Sequence, residues 1–168
     1  RYEEANDIFN ELDGYKNSYQ LNQYVKKELK YQKAIEYVNQ DKIDLAREMF
    51  LELGEFKDSG ERIYYLDLEI AYREAVKAFD NYDYDDAKYQ FSQIIGYKQT
   101  QEYLNKIEKC LLYEEANTLL QLERYEQAKN RFLELDGYLD SKEKLEFIDL
   151  NLKYIKATKL YDNKEYAT

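Results

Sequence analysis

Between Ile43 and Leu53 the apolar residues fall at Ile43, Ala46, Met49, Phe50 and Leu53, in steps of three and four. That spacing predicts an amphipathic helix of about three turns. The stretch that follows carries two apolar stripes rather than one. Ile63, Leu66 and Ile70 make the first; Tyr72, Ala75, Val76 and Phe79 make the second. On a helix this is a swing of about half a turn near residue 71. Leu104, Ile107 and Leu111, followed by Tyr113, Ala116 and Leu120, repeat the swing. No Gly or Pro stands there to bend the helix, so each half is expected to face its own neighbour.

The whole pattern recurs every 41 residues without insertion or deletion. Tyr2, Ile43, Tyr84, Tyr125 and Tyr166 share one register; so do Ala5, Ala46, Ala87 and Ala128, then Phe9, Phe50, Phe91 and Phe132. Ser18, Ser59, Thr100 and Ser141 hold a fourth register. A fixed period of this length marks a solenoid, whose units bury surface only against their neighbours. Long helices are expected near residues 18–40, 59–81, 100–123 and 141–163, each followed by a short one. The expected fold is all-α: a right-handed α-solenoid of antiparallel helix pairs, since short connections make consecutive helices antiparallel. It reads as a single array over 1–168, with units at 1–17 (second helix only), 18–58, 59–99, 100–140 and 141–168 (partial). The frame opens inside one unit and stops inside another, so neighbouring repeats in a longer chain are expected.

Four glycines close the short helices: Gly14, Gly54, Gly96 and Gly137. Each precedes an aromatic (Tyr15, Phe56, Tyr97, Tyr138), a combination that suits a left-handed C-cap with its apolar contact. Gly54 comes one residue early, so its cap is expected to differ. Then come Asn17, Asp58, Gln99 or Asp140, a Ser or Thr, and Gln20, Glu61, Glu102 or Glu143. With the first as N-cap this is a capping box; the Ser or Thr is equally suited to the N-cap by type.

Composition narrows the function classes. The 168 residues are 44% hydrophobic and 36% charged, with 20 Tyr, which argues for a packed domain and against disorder. No apolar run reaches the ~20 residues of a membrane span. The net charge of −10 is concentrated before residue 124, and no basic footprint for a nucleic acid is visible. Histidine is absent, and with it the commonest general base and metal ligand. The one cysteine, Cys110, cannot form an internal disulfide. It stands where other units have Glu28, Glu69 and Asn151, and reads as an ordinary substitution on a long helix. No phosphate loop, nucleophile motif or pair of carboxylates in unlike environments appears, so neither an enzyme nor a cofactor is expected. Asp83, Asp85 and Asp86 read better as an acidic helix start, favoured by the helix dipole, than as a weak cation site.

The stretch from Tyr31 to Ser59 resembles a tetratricopeptide repeat. A small residue midway in the first helix, an aromatic or Ile opening the second, a small residue three later and an aromatic four after that carry the likeness. They are Ala34, Ile43, Ala46 and Phe50; Ala75, Tyr84, Ala87 and Phe91; and Ala116, Tyr125, Ala128 and Phe132. The unit here is longer than the family's, closes on Gly-aromatic rather than Pro, and has charge (Lys33, Glu74, Glu115, Lys156) before the midway Ala. Such elongated variants are similar to tandem repeats of low-GC Gram-positive bacteria, often in envelope-anchored proteins, which implies an extracytoplasmic setting.

The resemblance implies a concave groove along the first helices that holds a peptide or partner helix. Its lining would be Tyr31, Tyr72, Tyr113 and Tyr154; then Ile35, Val76, Asn117 and Thr158; then Val38, Phe79, Leu120 and Tyr161. Asn39, Asp80, Gln121 and Asp162 would rim it. The middle units supply the binding candidates Tyr72, Val76, Phe79, Asp80, Tyr113, Asn117, Leu120 and Gln121. An aromatic held at one position of every unit also suits solenoid core, which makes the varied positions better determinants of specificity. The expected function is a protein-interaction scaffold, with a protein or peptide as partner and no nucleic acid or membrane contact in this segment. The alternatives are a structural spacer of a larger surface protein and, behind it, a glycan-binding module.

Overall fold

The computed structural model describes residues 1–162, so Tyr166, with the other residues of 163–168, lies outside the described residues. Eight helices follow in alternating short and long lengths. They are α1 (Tyr2–Glu11), α2 (Ser18–Asn39), α3 (Ile43–Leu53), α4 (Ser59–Asp80), α5 (Tyr84–Gln93), α6 (Thr100–Gln121), α7 (Tyr125–Glu134) and α8 (Ser141–Asp162). All four long helices have 22 residues, so the 41-residue step of the sequence is a step of identical elements. No helix among them is long and apolar enough to cross a membrane.

The helices divide into two compact units, residues 1–73 and 74–168, with the boundary along the chain inside α4. In the first, α1 packs on α2 and α2 on α3. Ala34, Ala46, Phe50, Leu53 and Leu66 make its core. In the second, α5 packs on α6, α6 on α7 and α7 on α8. Its largest cluster is Ala116, Ala128, Phe132, Leu135 and Ile148. These are the same five repeat positions, two periods on. One period on, Ala75, Ala87, Phe91, Ile94 and Ile107 are buried as well. Each enclosed Phe contributes about 1.5–3 kcal/mol by leaving water.

The swinging stripe does bring two neighbours to one helix. In α6 the early residue Tyr103 stacks on Phe91 of α5, with ring centres 4.8 Å apart. The later residues Leu112, Tyr113, Leu119 and Leu120 pack with Ala128 and Phe132 of α7. At the swing one position is turned inward in every unit. Glu28 is buried there and pairs with Lys57 at 2.5 Å, and Glu69 binds Arg73 at 2.8 Å. The third such position is Cys110, which is half-buried, its Sγ 3.4 Å from the Tyr138 hydroxyl. It is thus an inward polar position and not an ordinary helix-surface one. The Cys110 contact and burial hold the Tyr138 phenol up at about 12, and burial followed by the same thiol does so for Tyr84.

Both turns of the unit use left-handed backbone. Asp41, Tyr82 and Glu123 follow the long helices at φ 60°, 63° and 56°. The next N–H then reaches back to close the helix: Lys42 to the Tyr37 carbonyl, Asp83 to Ala78 and Arg124 to Leu119. This is a Schellman closure built without glycine. The glycines serve the other turn. Gly14 and Gly137 come second, after Asp13 and Asp136, which already lie at positive φ. Gly54, one residue early, is itself the C-cap, at φ 60° and ψ −127°. The following aromatic is tied on both sides: the Phe56 N–H donates to Leu53, and its carbonyl accepts from the Ser59 N–H and hydroxyl.

The capping-box expectation is corrected here. Asn17 and Gln99 occupy the N-cap but make no side-chain cap bond. Ser59, Thr100 and Ser141 are the first helical residues, and their hydroxyls donate back to the turn aromatic's carbonyl rather than capping forward. A side-chain cap is present on α5, where Asp83 accepts from the Asp86 N–H at 3.3 Å. The acidic run there is a helix start, as expected.

The backbone predicts opposite outcomes for two glycines. Gly54 lies where side chains are strained, so Gly54→Ala should cost about 1–3 kcal/mol. Gly60 is helical with open space around it, so Gly60→Ala should be neutral or stabilise by up to about 1 kcal/mol. Urea-unfolding midpoints of the two variants check this.

Candidate functional site

The candidate residues sit on the second halves of the long helices. Tyr72 belongs to the first compact unit; Val76, Phe79, Asp80, Tyr113, Asn117, Leu120 and Gln121 belong to the second. Phe79 faces inward, with Tyr103 at 5.1 Å edge-on and Tyr84 at 5.7 Å. Tyr113 and Leu120 both pack against the Ala116–Phe132 cluster. Val76 and Asn117 are half-buried, and the Asn117 amide donates to the Tyr113 carbonyl of its own helix at 2.8 Å. Asp80 and Gln121 are exposed. Packing therefore holds the aromatic candidates, while the rim faces solvent.

The tyrosine ladder has a defined local structure. Tyr31 meets Phe50 edge-on at 5.7 Å and Phe56 at 6.1 Å. Two periods later Tyr113 meets Phe132 at 6.1 Å and Tyr138 at 6.0 Å in the same manner. The ring thus bridges the short helix and the turn aromatic, an arrangement favoured by the ring quadrupoles. The hydroxyl completes a clasp. Tyr31 donates to Asp58, which also accepts from Arg62 at 3.0 Å. Tyr113 donates to Asp140 at 2.5 Å, and Lys144 lies 3.4 Å from the same carboxylate. The carboxylate at one of the two candidate N-cap positions therefore anchors the tyrosine of the preceding long helix. The pairing spans 27 residues, so no local pattern announces it.

A second exposed aromatic row was not anticipated. Tyr24, Tyr65 and Phe147 share one repeat position on the first halves of the long helices, and all are exposed; Lys106 stands at the fourth. Tyr65 lies edge-on to exposed Tyr64 at 5.5 Å. Among the described residues no group of three or more His, Cys, Asp or Glu is placed to hold a metal ion. Comparison with models of protein families, with curated proteins and with solved structures finds no match.

The clasp has a pH signature. The Tyr31 hydrogen bond first, and then Arg62, hold Asp58 below the usual carboxylate range; the Tyr113 hydrogen bond does the same for Asp140. Burial and the bond to Asp58 push the Tyr31 phenol up, so it remains a donor. A carboxylate with a depressed folded value stabilises fully above its unfolded value of about 3.9. That contribution is lost as pH falls through the lower folded value. Replacing both tyrosines with Phe should therefore lower the melting temperature at neutral pH and have less effect in strong acid. Thermal melts over a pH series check this; an equal loss at every pH would contradict the clasp.

Proposed function

We propose that the chain is a protein-interaction scaffold with tetratricopeptide-like units that step in a right-handed sense. Its partner, a peptide or helix, lies along the second halves of the long helices in the 74–168 unit. The observation that supports this reading is the division of labour within the repeat. Five positions are buried and apolar in three successive periods, from Ala34 to Ile148, whereas their neighbours on the same helices vary: Val76 against Asn117, and Asp80 against Gln121. An invariant framework with a varied surface is what a solenoid uses to present different contacts at a fixed spacing. The packed tyrosines and phenylalanines would preorganise the face, which lowers the ordering cost of binding. Val76 would offer apolar contact and Asn117 its amide, and the exposed Asp80 would favour a basic residue on the partner.

The rim provides the test. Asp80→Lys combined with Gln121→Lys should weaken capture of a partner by about tenfold, the ~1.4 kcal/mol of one decade. Stability should change by no more than about 0.5 kcal/mol, as for other surface substitutions. Affinity measured by calorimetry, beside a melt of the variant, reads both. Unchanged affinity, with loss instead on altering exposed Tyr89 and Leu133 of the short helices, would place the contact elsewhere.

A further inference from the structure

The turn between α7 and α8 contains Asp136–Gly137, an aspartate followed directly by glycine. In two equivalent turns Leu53 and Ile95 precede the glycine instead; Asp13–Gly14 is the other pair of this kind. Among the described residues the exposed Asp136 carboxylate has no hydrogen bond or ion pair, and the Gly137 N–H donates to no acceptor. The atoms that crowd the glycine belong to the far end of the flexible Lys142 side chain, whose Cε lies 2.7 Å from where a Cβ would stand. Asp140–Ser141, just downstream, is the opposite case. Its carboxylate accepts the Tyr113 hydroxyl and lies 3.4 Å from Lys144, and the Ser141 N–H donates to the Tyr138 carbonyl at 3.2 Å.

We infer that Asp136 is a site of spontaneous isomerisation to isoaspartate, and that the change loosens the turn held by Tyr138. The Gly137 main-chain nitrogen attacks Cγ of the protonated Asp136 side chain. An N–C bond forms, and the N–H proton and the carboxyl hydroxyl leave together as water. The product is a five-membered imide ring, which water then opens at one of its two carbonyls. Opening at the side-chain carbonyl returns aspartate. Opening at the main-chain carbonyl sends the backbone through Cβ and Cγ and leaves the α-carboxylate free. Nothing is oxidised or reduced, and water is the one co-reactant. Glycine admits this step because it has no Cβ to crowd the attacking nitrogen and has the widest choice of backbone angles. The product carries one more carbon in the main chain, just where Tyr138 is tied on several sides. The Tyr138 N–H reaches back over Asp136 and Gly137 to the Leu135 carbonyl at 3.0 Å. Its ring lies 6.0 Å from that of Tyr113, its hydroxyl touches Cys110, and its carbonyl accepts from Ser141. A lengthened main chain displaces Tyr138 and with it the clasp between Tyr113 and Asp140. The inference does not rest on partner binding along the long helices.

Ageing the purified chain at neutral pH tests the inference. Trypsin releases residues 132–142 as one peptide, which holds both Asp136 and Asp140. With time this peptide should split into two forms of equal mass. The new form should accept a methyl group from S-adenosylmethionine through a protein isoaspartyl methyltransferase, and fragmentation should place the change at 136. Isoaspartate at 136 should exceed that at 140 several-fold. Asp136→Glu keeps the charge at an exposed position but would have to close a less favourable six-membered ring, so its peptide should stay single. Hydrogen exchange gives a second reading. The isomerised fraction of the aged wild type should exchange faster than fresh protein in residues 138–141 and the second half of α6, and aged Asp136→Glu should not. Absence of isoaspartate at 136, an amount no greater than at 140, or an isomerised fraction that exchanges like fresh protein overturns the inference.

Discussion

The architecture depends on the close approach of a long helix to the short helix after it, at a pair of alanines. Ala34 with Ala46, Ala75 with Ala87 and Ala116 with Ala128 are all fully enclosed. Around side chains this enclosed a larger one has no room, and interiors at crystal-like density do not absorb extra methylenes cheaply. The approach sets the place of everything else in the unit. Phe50, Phe91 and Phe132 stand one turn further along the short helix and are likewise fully enclosed. Tyr31 and Tyr113 pack beside them, with their hydroxyls tied to the start of the next long helix. One clasp thus joins three successive elements.

The long helix serves two such arrangements, one on each half. Its apolar stripe must change sides midway, and the cost is a polar side chain turned inward at the crossover. Glu28, Glu69 and Cys110 resolve this in three ways: with a lysine from the turn, with an arginine on the same helix and with a tyrosine hydroxyl. The variation suggests how the array tolerates sequence change. The position must be polar enough to find a partner, and the partner comes from whichever neighbour is in reach. Buried polar groups left alone would be expensive.

Much of this could be read directly from residue spacing. The period, the helix pair and the enclosed Ala and Phe positions follow from steps of three and four repeated at 41, because amphipathic spacing records which face leaves water. Helix ends were readable to within two residues, since Gly and the short polar residues mark them. What escaped the reading was conformation that residue type does not signal. Tyr82 and Glu123 adopt left-handed backbone although neither is a usual choice for it; the closing hydrogen bonds to Ala78 and Leu119 impose it. Asp58 and Asp140 fit a helix start by local pattern, but that pattern does not name the tyrosine 27 residues back that bonds each of them. The candidate groove was legible as a set of positions on one helix face. That Phe79, Tyr113 and Leu120 turn inward depends on neighbours that the one-dimensional pattern does not name.

The central claim is that each alanine contact governs its own stretch of the array. Ala128→Leu tests it most directly, since overpacking there should cost about 1–3 kcal/mol. Hydrogen exchange resolved along the chain should show faster exchange in α7, the second half of α6 and the first half of α8. Exchange in α1, α2 and α3 should be unchanged, as nearest-neighbour stability requires. Equal loosening of all the helices, or no loosening at α6 and α7, would contradict the account.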